Sequence, residues 1–329
     1  MEPGIKTNTM TSIKHRNGIR VEGDLSLALD SRRKDMDYGV VSHAHADHAL
    51  KNDSDQIICS DLTRKITETR FDVSLDTASH ETVELIPSGH VLGSTASLID
   101  NSILYTGDVS TRNRAYIDGF EPVKAEELII ESTYGIPNYR FPDQKQVEKE
   151  IMDWIKDTQR PLFLFAYSLG KAQKIQHLIQ KTTDRPIIAH GAVKKMNDVI
   201  EENTGLEFRA KNYKNNKSIL DQNGIMVAPS RSSKANYIEK LVEKHSGLKA
   251  GFSGWAVDNS FKYRGGYDRA FPFSDHCDFD ELVKLVEKVD PEKVYTHHGF
   301  DEAFASYLSR EKGFNARALK SNQSSLTDF

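Results

Sequence analysis

The chain is short of cysteine, of long apolar runs and of net charge. Its 329 residues hold 2 cysteines, Cys59 and Cys277, which excludes the dense disulfide framework of a small secreted domain. The two could close one disulfide, but free thiols are expected, because the rest of the chain points to the cytoplasm. No apolar stretch approaches the ~20 residues that a bilayer span needs, and Met1 to Arg20 is polar, without the apolar centre of a secretory signal. The expectation is a cytoplasmic protein with no membrane partner. The formal net charge is -4 and the pI about 6.3, so nothing global announces a nucleic-acid binder, although a local basic groove is compatible with a mildly acidic protein. Internal repeats, coiled-coil heptads and low-complexity tracts are missing as well.

Hydrophobic residues make up 38% and charged residues 28% of the chain, as in ordinary soluble globular proteins. The length suggests about two domains. The chemistry is concentrated in one stretch, His43-Ala44-His45-Ala46-Asp47-His48, which follows the apolar segment Tyr38 to Val41. An extended chain leaving a strand throws residues two apart to the same side, so His43 and His45 can share a cation. Asp47 and His48 then serve a second. A helical metal site would need its histidines four apart, so this spacing predicts a loop at a strand end. A single histidine reads best as solvated or satisfied in the core, but so dense a cluster is hard to satisfy without a metal.

Up to Gly135 the pattern is of strands whose ends carry His or Asp. A short strand at Gln56 to Cys59 precedes a helix over Leu62 to Arg70. The strand Thr82 to Ile86 runs into Pro87-Ser88-Gly89-His90, and Ser102 to Tyr105 runs into Thr106-Gly107-Asp108. Glu127 to Ile130 leads to Glu131. Beyond Gly135, Asp143 caps a helix reaching about Thr158. The continuous apolar run Pro161 to Tyr167 then alternates with helices and further buried-looking strands, at Pro186 to Ala189, Gly224 to Ala228 and Leu248 to Phe252. That alternation predicts a parallel sheet flanked by helices. From about Tyr263 the strand-end chemistry returns, at Ser274-Asp275-His276 and Thr296-His297-His298-Gly299, and a helix over Glu302 to Arg310 with a short tail closes the chain.

Two adjacent divalent ions need several ligands, one of them bridging, and an open position for water. The inventory matches: His43, His45 and His90 for the first ion, Asp47, His48 and His298 for the second, Asp108 bridging both. Histidine and carboxylate without cysteine favour two zinc ions, with manganese as runner-up. Singly, His90 and Asp108 also read as turn residues and His298 as a surface histidine. The first cluster is what gives the set weight.

The His43-x-His45-x-Asp47-His48 loop, the segment Ser88 to Ser94 and Tyr105-Thr106-Gly107-Asp108 resemble the successive metal motifs of the metallo-β-lactamase fold. Asp30 resembles that fold's opening Asp, which supports the site structurally; an ordinary turn Asp is the alternative. Glu131-Ser132-Thr133-Tyr134-Gly135, Phe273-Ser274-Asp275-His276 and His298-Gly299 resemble the three extra motifs of the β-CASP nucleases, the branch of the fold that processes DNA and RNA, as does Ala166 to Gln173. Within that branch, Ser253-Gly254-Trp255-Ala256, Arg264-Gly265-Gly266 and Asp268 to Phe271 look most like the DNA ligase-associated exonucleases. The sequence departs from the pattern at Cys277, where a small Ala is usual, and at His297, which doubles the final His; the following Gly299 selects His298 as the ligand.

The resemblance implies an α/β protein: a metallo-β-lactamase αββα sandwich over residues 1–135 and 263–329, interrupted by a parallel-sheet α/β β-CASP domain at 136–262. It also implies a two-metal phosphodiesterase on single-stranded nucleic acid, with a DNA exonuclease in repair or processing as the leading reading. An RNA-processing nuclease and a small-molecule ester hydrolase are the alternatives, and a binding protein with a lost active site would leave gaps in the ligand set. In the implied chemistry a water bridging the two metals, whose ligands Asp47 and Asp108 count among the catalytic residues, is deprotonated near neutral pH and attacks phosphorus. His276 stabilises or protonates the departing oxygen, with Glu131 holding its other nitrogen; His276 as an extra metal ligand or helix cap is the plainer option. Ser168, Gly170 and Lys171 sit at a strand-to-helix turn suited to phosphate. Arg231 and Arg264, with Lys234, Lys262 and Arg269, could track the strand, and Trp255 and Tyr263 could stack bases. Implied partners are single-stranded DNA or RNA, and a DNA ligase or another repair protein.

Overall fold

The computed structural model describes residues 11–15, 18–31, 35–49 and 56–320. The mixed-charge stretch Ser31 to Asp37, which reads as a loop in the sequence, lies partly outside the described residues, at 32–34. A first sheet runs in sequence order through β1 (Ser12–His15), β2 (Ile19–Glu22), β3 (Ser26–Leu29), β4 (Tyr38–Val40) and β5 (Ile57–Ile58). Helix α1 (Asp61–Phe71) follows, opened by Ser60, whose side chain accepts the Thr63 N–H. A second sheet begins with β6 (Val83–Pro87), β7 (Thr95–Ile99), β8 (Ile103–Tyr105) and β9 (Glu127–Glu131). Its first three strands are antiparallel neighbours, whereas β9 lies parallel to β8.

After β9 the chain builds a separate sheet. Helix α2 (Gln144–Asp157) is capped by Asp143 as expected, and β10 (Leu162–Ala166) and α3 (Lys171–Thr182) follow. Next come β11 (Ile187–Ala189), α4 (Gly191–Thr204), β12 (Lys211–Asn212), β13 (Ile225–Pro229), α5 (Asn236–Lys244), β14 (Leu248–Phe252), α6 (Ser260–Gly265) and β15 (Arg269–Phe271). Every pairing in this sheet is parallel among the described residues, with order β12-β11-β13-β10-β14-β15. The unbroken apolar run in β10 is explained by burial on both faces. Leu162, Leu164 and Ala166 pack with Ile151, Ile175 and Ile179 of the flanking helices, and Phe163 and Phe165 pack with Met226, Ile238 and Tyr267 on the other side. The sheet continues past residue 262 through β15, which pairs with β14 at Phe252 and Phe271. Helix α5 starts at Asn236, after a 3-10 turn over Ser230–Ser232.

The chain then returns with α7 (Phe279–Val289), β16 (Lys293–His297), α8 (Asp301–Lys312) and β17 (Ala316–Ala318). Strand β16 inserts beside β9, so strands more than 160 residues apart in sequence become parallel neighbours. The described part of the expected tail holds a strand: β17 pairs parallel with β16, the Leu319 N–H donating to the Thr296 carbonyl where Ala318 lies opposite Thr296. The first two sheets face one another across Leu27, Leu29, Val40, Ile58, Ile103, Tyr105, Ile129 and Tyr295. The other face of the second sheet is covered by α7 and α8 through Leu282, Val286, Val289, Phe304 and Leu308. Apolar positions three and four apart on α7 supply this stripe, and Asp278 and Glu281 close a capping box at its start. On the far side, Ile66 of α1 clusters with Ala44 of the histidine loop and with Met196 and Val199 of α4, so α4, which flanks the separate sheet, is packed against α1 and the loop. No helix among the described residues is long and apolar enough to cross a membrane.

Candidate metal centre and active site

The ends of β4, β6, β8, β9, β15 and β16 converge on one cavity of about 250 Å³, lined by His45, Asp47, His90, Asp108, His276 and His298 among others. The turns that deliver them need tight backbone. Gly107 has φ 53, and a Cβ there would lie 2.5 Å from that of Ser42, so glycine lets Asp108 close against the histidine loop. Gly170 has φ 89 and faces Val91 so closely that a Cβ would fall 2.4 Å from its Cγ1, which seats the start of α3 on the His90 turn.

One ligand atom from each of His43, His45, His90 and Asp108 lies within 4.8 Å of all the others. His43 Nε2 and His90 Nε2 are 3.4 and 3.5 Å from Asp108 Oδ2, and His48 Nε2 is 3.5 Å from Asp108 Oδ1. The two oxygens of a single carboxylate thus face two different groups of imidazoles, the arrangement a bridging ligand requires. Asp47 Oδ2 is 3.8 Å from His48 Nε2, on the more exposed side.

The outward nitrogens are all tied down. His43 Nδ1 meets Ser42 Oγ at 2.9 Å, His45 Nε2 the Leu169 carbonyl at 3.2 Å, His48 Nδ1 Asp30 Oδ2 at 2.7 Å and His90 Nδ1 the Asp275 carbonyl at 3.0 Å. Each bond fixes the ring so that its other nitrogen points inward, and two of these inward nitrogens, His90 Nε2 and His45 Nδ1, meet each other at 3.2 Å. Asp30, in the left-handed region at φ 45, accepts from His48, from the Ser42 amide and hydroxyl and from the Tyr105 hydroxyl. Burial among neighbouring imidazoles pushes His43 and His90 well below the ordinary histidine range, and burial holds His45 at about 3. His48 differs: burial opposes its charge, but the carboxylates of Asp108 and Asp30 outweigh it and hold its pKa at about 10. A cation bound there displaces a proton.

Buried His43 Nε2 and Asp108 Oδ1 have no hydrogen-bond partner among the described residues. Two inward-facing orphans in a water-poor centre are costly unless something charged satisfies them. Neutral imidazoles with anchored outer nitrogens around one carboxylate fit a divalent cation. Of the last histidine pair, His298 lines the cavity with its ring 6.3 Å from that of His48. His297 is turned away, buried against Tyr105 at 5.7 Å.

Beside this cluster, His276 Nδ1 is 2.8 Å from Glu131 Oε1, and its ring is 4.5 Å from that of His90. Burial would raise the pKa of Glu131, but His276, Thr133 and the Val109 amide hold it down at about 2. Burial lowers that of His276, yet Glu131 and Asp108 outweigh it and the net shift is upward. Asp108, Glu131 and His276 could themselves group around an ion.

Behind His276 lies an ionic hub not anticipated from the sequence. The buried Asp275 carboxylate receives Lys174 Nζ at 2.9 Å and faces Lys171 Nζ at 3.4 Å, while Lys174 also donates to the His90 carbonyl at 2.9 Å. Despite burial, the two lysines hold the Asp275 carboxyl far below the ordinary range. Asp275→Asn strands two buried ammonium groups, so it is expected to destabilise the protein by about 3–5 kcal/mol near neutral pH. Because its folded pKa is depressed, the stabilisation is complete above the unfolded value and disappears as pH falls through the folded one. The deficit in urea unfolding is therefore full from about pH 5, narrows below about pH 4, and narrows again above about pH 8, where Lys174, its pKa lowered by burial to about 8, gives up its charge.

Of the expected substrate contacts, Lys171 reaches the cavity and lies against the Tyr167 ring. The Gly170 N–H is taken by Gln173 Oε1 at 2.8 Å, and the Ser168 carbonyl by the Gln173 amide at 3.1 Å. Neither Ser168 nor the exposed Arg231 and Arg264 lines the cavity. Arg231 is close enough that its charge, after burial, lowers the pKa of Arg70. Arg70 lines the cavity and donates to the Ala44 carbonyl at 2.8 Å; as the last basic residue of α1 it reads in sequence as an ordinary helix-end cation. Both cysteines are free, and the Cys277 amide donates to the Val109 carbonyl at 2.9 Å.

Facing sheets with helices outside, and a histidine and carboxylate cluster at the strand ends, are the layout of the metallo-β-lactamase fold. A family profile described as the RNA specificity domain of Zn-dependent metallo-hydrolases matches residues 269–319. A probable DNA ligase of Opitutus terrae is 33% identical over 298 residues, 85% of this chain and 28% of that protein. The chain thus spans little more than a quarter of the length of that relative. A probable RNase, MJ4, of Methanocaldococcus jannaschii is 26% identical over 88% of this chain and 88% of its own. Cleavage and polyadenylation specificity factor subunit 3 of Dictyostelium discoideum is 27% identical over 45% of this chain and 25% of its own. The chain belongs to the metallo-β-lactamase-fold β-CASP nuclease family.

Proposed function

We propose that this protein hydrolyses phosphodiester bonds of single-stranded nucleic acid, as a DNA exonuclease working in repair or processing. The observation that carries the reading is the Glu131–His276 pair, set beside an inward-facing histidine and carboxylate cluster in one cavity. In this reading His43, His45, His90 and Asp108 hold one divalent ion, and Asp47, His48, His298 and Asp108 a second, with zinc favoured by the donor set. Bound there, such ions supply Lewis acidity that activates water and offsets charge on phosphate oxygens. Lys171 and Arg70 add positive charge at the cavity wall. Asp47 and Asp108 orient the attacking water. His276 gives a proton to the departing sugar oxygen, and ionised Glu131 keeps the imidazole turned and charged. The inserted domain, proposed at 136–262 with β15 added to its sheet, roofs the cavity through Tyr167, Lys171, Ser253 and Trp255.

Likeness to a protein named a probable DNA ligase supports a DNA substrate and a ligase or repair partner. A second reading, an RNA-processing nuclease, is supported equally by the RNA specificity profile and the likeness to a probable RNase. The full ligand set argues against a protein with a lost site, and the roof over the cavity against a small-ester hydrolase. Free thiols at Cys59 and Cys277 suit a cytoplasmic setting. The deciding measurement is digestion of matched DNA and RNA strands, labelled at either end, with zinc or manganese. DNA degraded from one end, lost on chelation and restored by added metal, is expected. RNA cleaved faster than DNA overturns the substrate, and neither strand cleaved while a simple ester is turned over overturns the reading.

A further inference from the structure

Four large hydrophobic side chains stand exposed among the described residues, Tyr167, Tyr237, Val257 and Tyr263, and of these only Tyr167 lines the metal cavity. It sits at the turn from β10 to α3 and is 58% exposed. Its neighbours are polar: the His45 ring at 6.0 Å, and Lys171 Nζ over the ring at 5.0 Å from the centroid. So large an aromatic surface left open above a charged cavity contributes little to packing. Lys171 occupies one face through a cation–π contact and holds the ring in place. More than half of the side chain's surface stays open at the cavity.

The two aromatics singled out from sequence do not have this position. Tyr263 is 77% exposed but lies outside the cavity lining. Trp255 lines it, but is hemmed in by Tyr134 and Tyr139 at 4.8 and 4.9 Å and by Phe300 at 6.2 Å. We infer that Tyr167 is the platform on which the nucleobase beside the cleaved bond stacks, so that the site selects strands whose end nucleotide is unpaired. This rests on the nuclease reading and specifies how that site recognises its substrate. Every base has a flat face, so such a contact tolerates sequence. A base held in a duplex is already stacked and paired, and must leave both contacts to reach the ring.

The test pairs Tyr167→Ala and Tyr167→Phe with two single strands, one natural and one carrying an abasic tetrahydrofuran residue beside the cleaved bond. Stacking on one aromatic converts to roughly a 10-fold to 100-fold effect. On the natural strand, kcat/KM of Tyr167→Ala is expected to fall by that factor, mainly through KM, while Tyr167→Phe keeps most of its activity. On the abasic strand the wild type falls to the level of Tyr167→Ala, and the variant loses nothing further. Fluorescence anisotropy of the same strands bound to chelator-treated protein gives the same pattern without cleavage, which separates this inference from the nuclease reading itself. Equal binding of natural and abasic strands by the wild type overturns the inference, even where cleavage is intact. So does a Tyr167→Ala deficit that persists undiminished on the abasic strand, because the ring then acts through something other than a base.

Discussion

Asp108→Asn is expected to lower kcat by about 1000-fold or more on any nucleic-acid substrate, with the protein still folded. The carboxylate is the meeting point of the centre: Oδ2 lies near His43 and His90, Oδ1 near His48, and Oδ1 has no hydrogen-bond partner among the described residues. Asparagine keeps the shape but removes the negative charge, and it turns an amide towards nitrogen lone pairs that need a cation. Metal content by mass spectrometry should drop together with activity. Stability of the metal-free protein should change little, because burial already pushes the Asp108 carboxyl above the ordinary range, whereas the charge that Asp108 offers the buried His48 is lost with it. Its ionised form is a burden on the metal-free fold at neutral pH, and the neutral amide relieves that burden. Activity within a few-fold of wild type, at unchanged metal content, would remove Asp108 from the mechanism.

His276→Ala is expected to reduce kcat by about 100-fold to 10,000-fold while leaving the metal content intact. The imidazole lies at the cavity, its Nδ1 held by Glu131 at 2.8 Å, and the net upward pKa shift favours the protonated form that an acid must start from. A leaving group that departs without a proton separates this role from simple disruption. With a p-nitrophenyl nucleotide ester the deficit should shrink to a few-fold, since nitrophenolate needs little protonation, whereas with a nucleoside leaving group it stays at full size. Glu131→Gln should show the same dependence on leaving group with a smaller loss, because the amide still accepts from the imidazole but no longer holds its charge. An equal deficit on both substrates sinks the general-acid role. Loss of one ion in His276→Ala would instead make His276 a ligand, within the group it forms with Asp108 and Glu131.

The sequence by itself determined the parts of this protein that are local in the chain. The histidine loop leaves β4 where the apolar run Tyr38 to Val41 ends, as the spacing predicted, but it is extended only up to His43 and then turns back, the His48 and Ala49 amides donating to the His45 carbonyl. Strand and helix alternation after Gly135 predicted a parallel sheet, because burial on both faces writes unbroken apolar strands such as β10. Periods of two and 3.6 residues survive in the sequence because each reports a neighbour only a few residues away.

Tertiary structure alone decided what depends on elements far apart in the chain. Nothing in the order Ser274-Asp275-His276 says that Asp275 will meet Lys174 from α3, about a hundred positions earlier. Arg70 is an unremarkable helix-end cation until α1 packs beside the histidine loop, and β15 joins the parallel sheet only because β14 offers a free edge. His297 and His298 are adjacent and chemically identical. The pleat of β16 turns the first towards Tyr105, and the left-handed backbone at φ 63 delivers the second to the cavity. Exposure, too, is a property of the folded surface: Tyr167 sits in an apolar run that reads as core, and only the end of β10 leaves its ring open above the metal centre. Local spacing fixes which atoms can share a cation, whereas long-range packing fixes which side chains surround it.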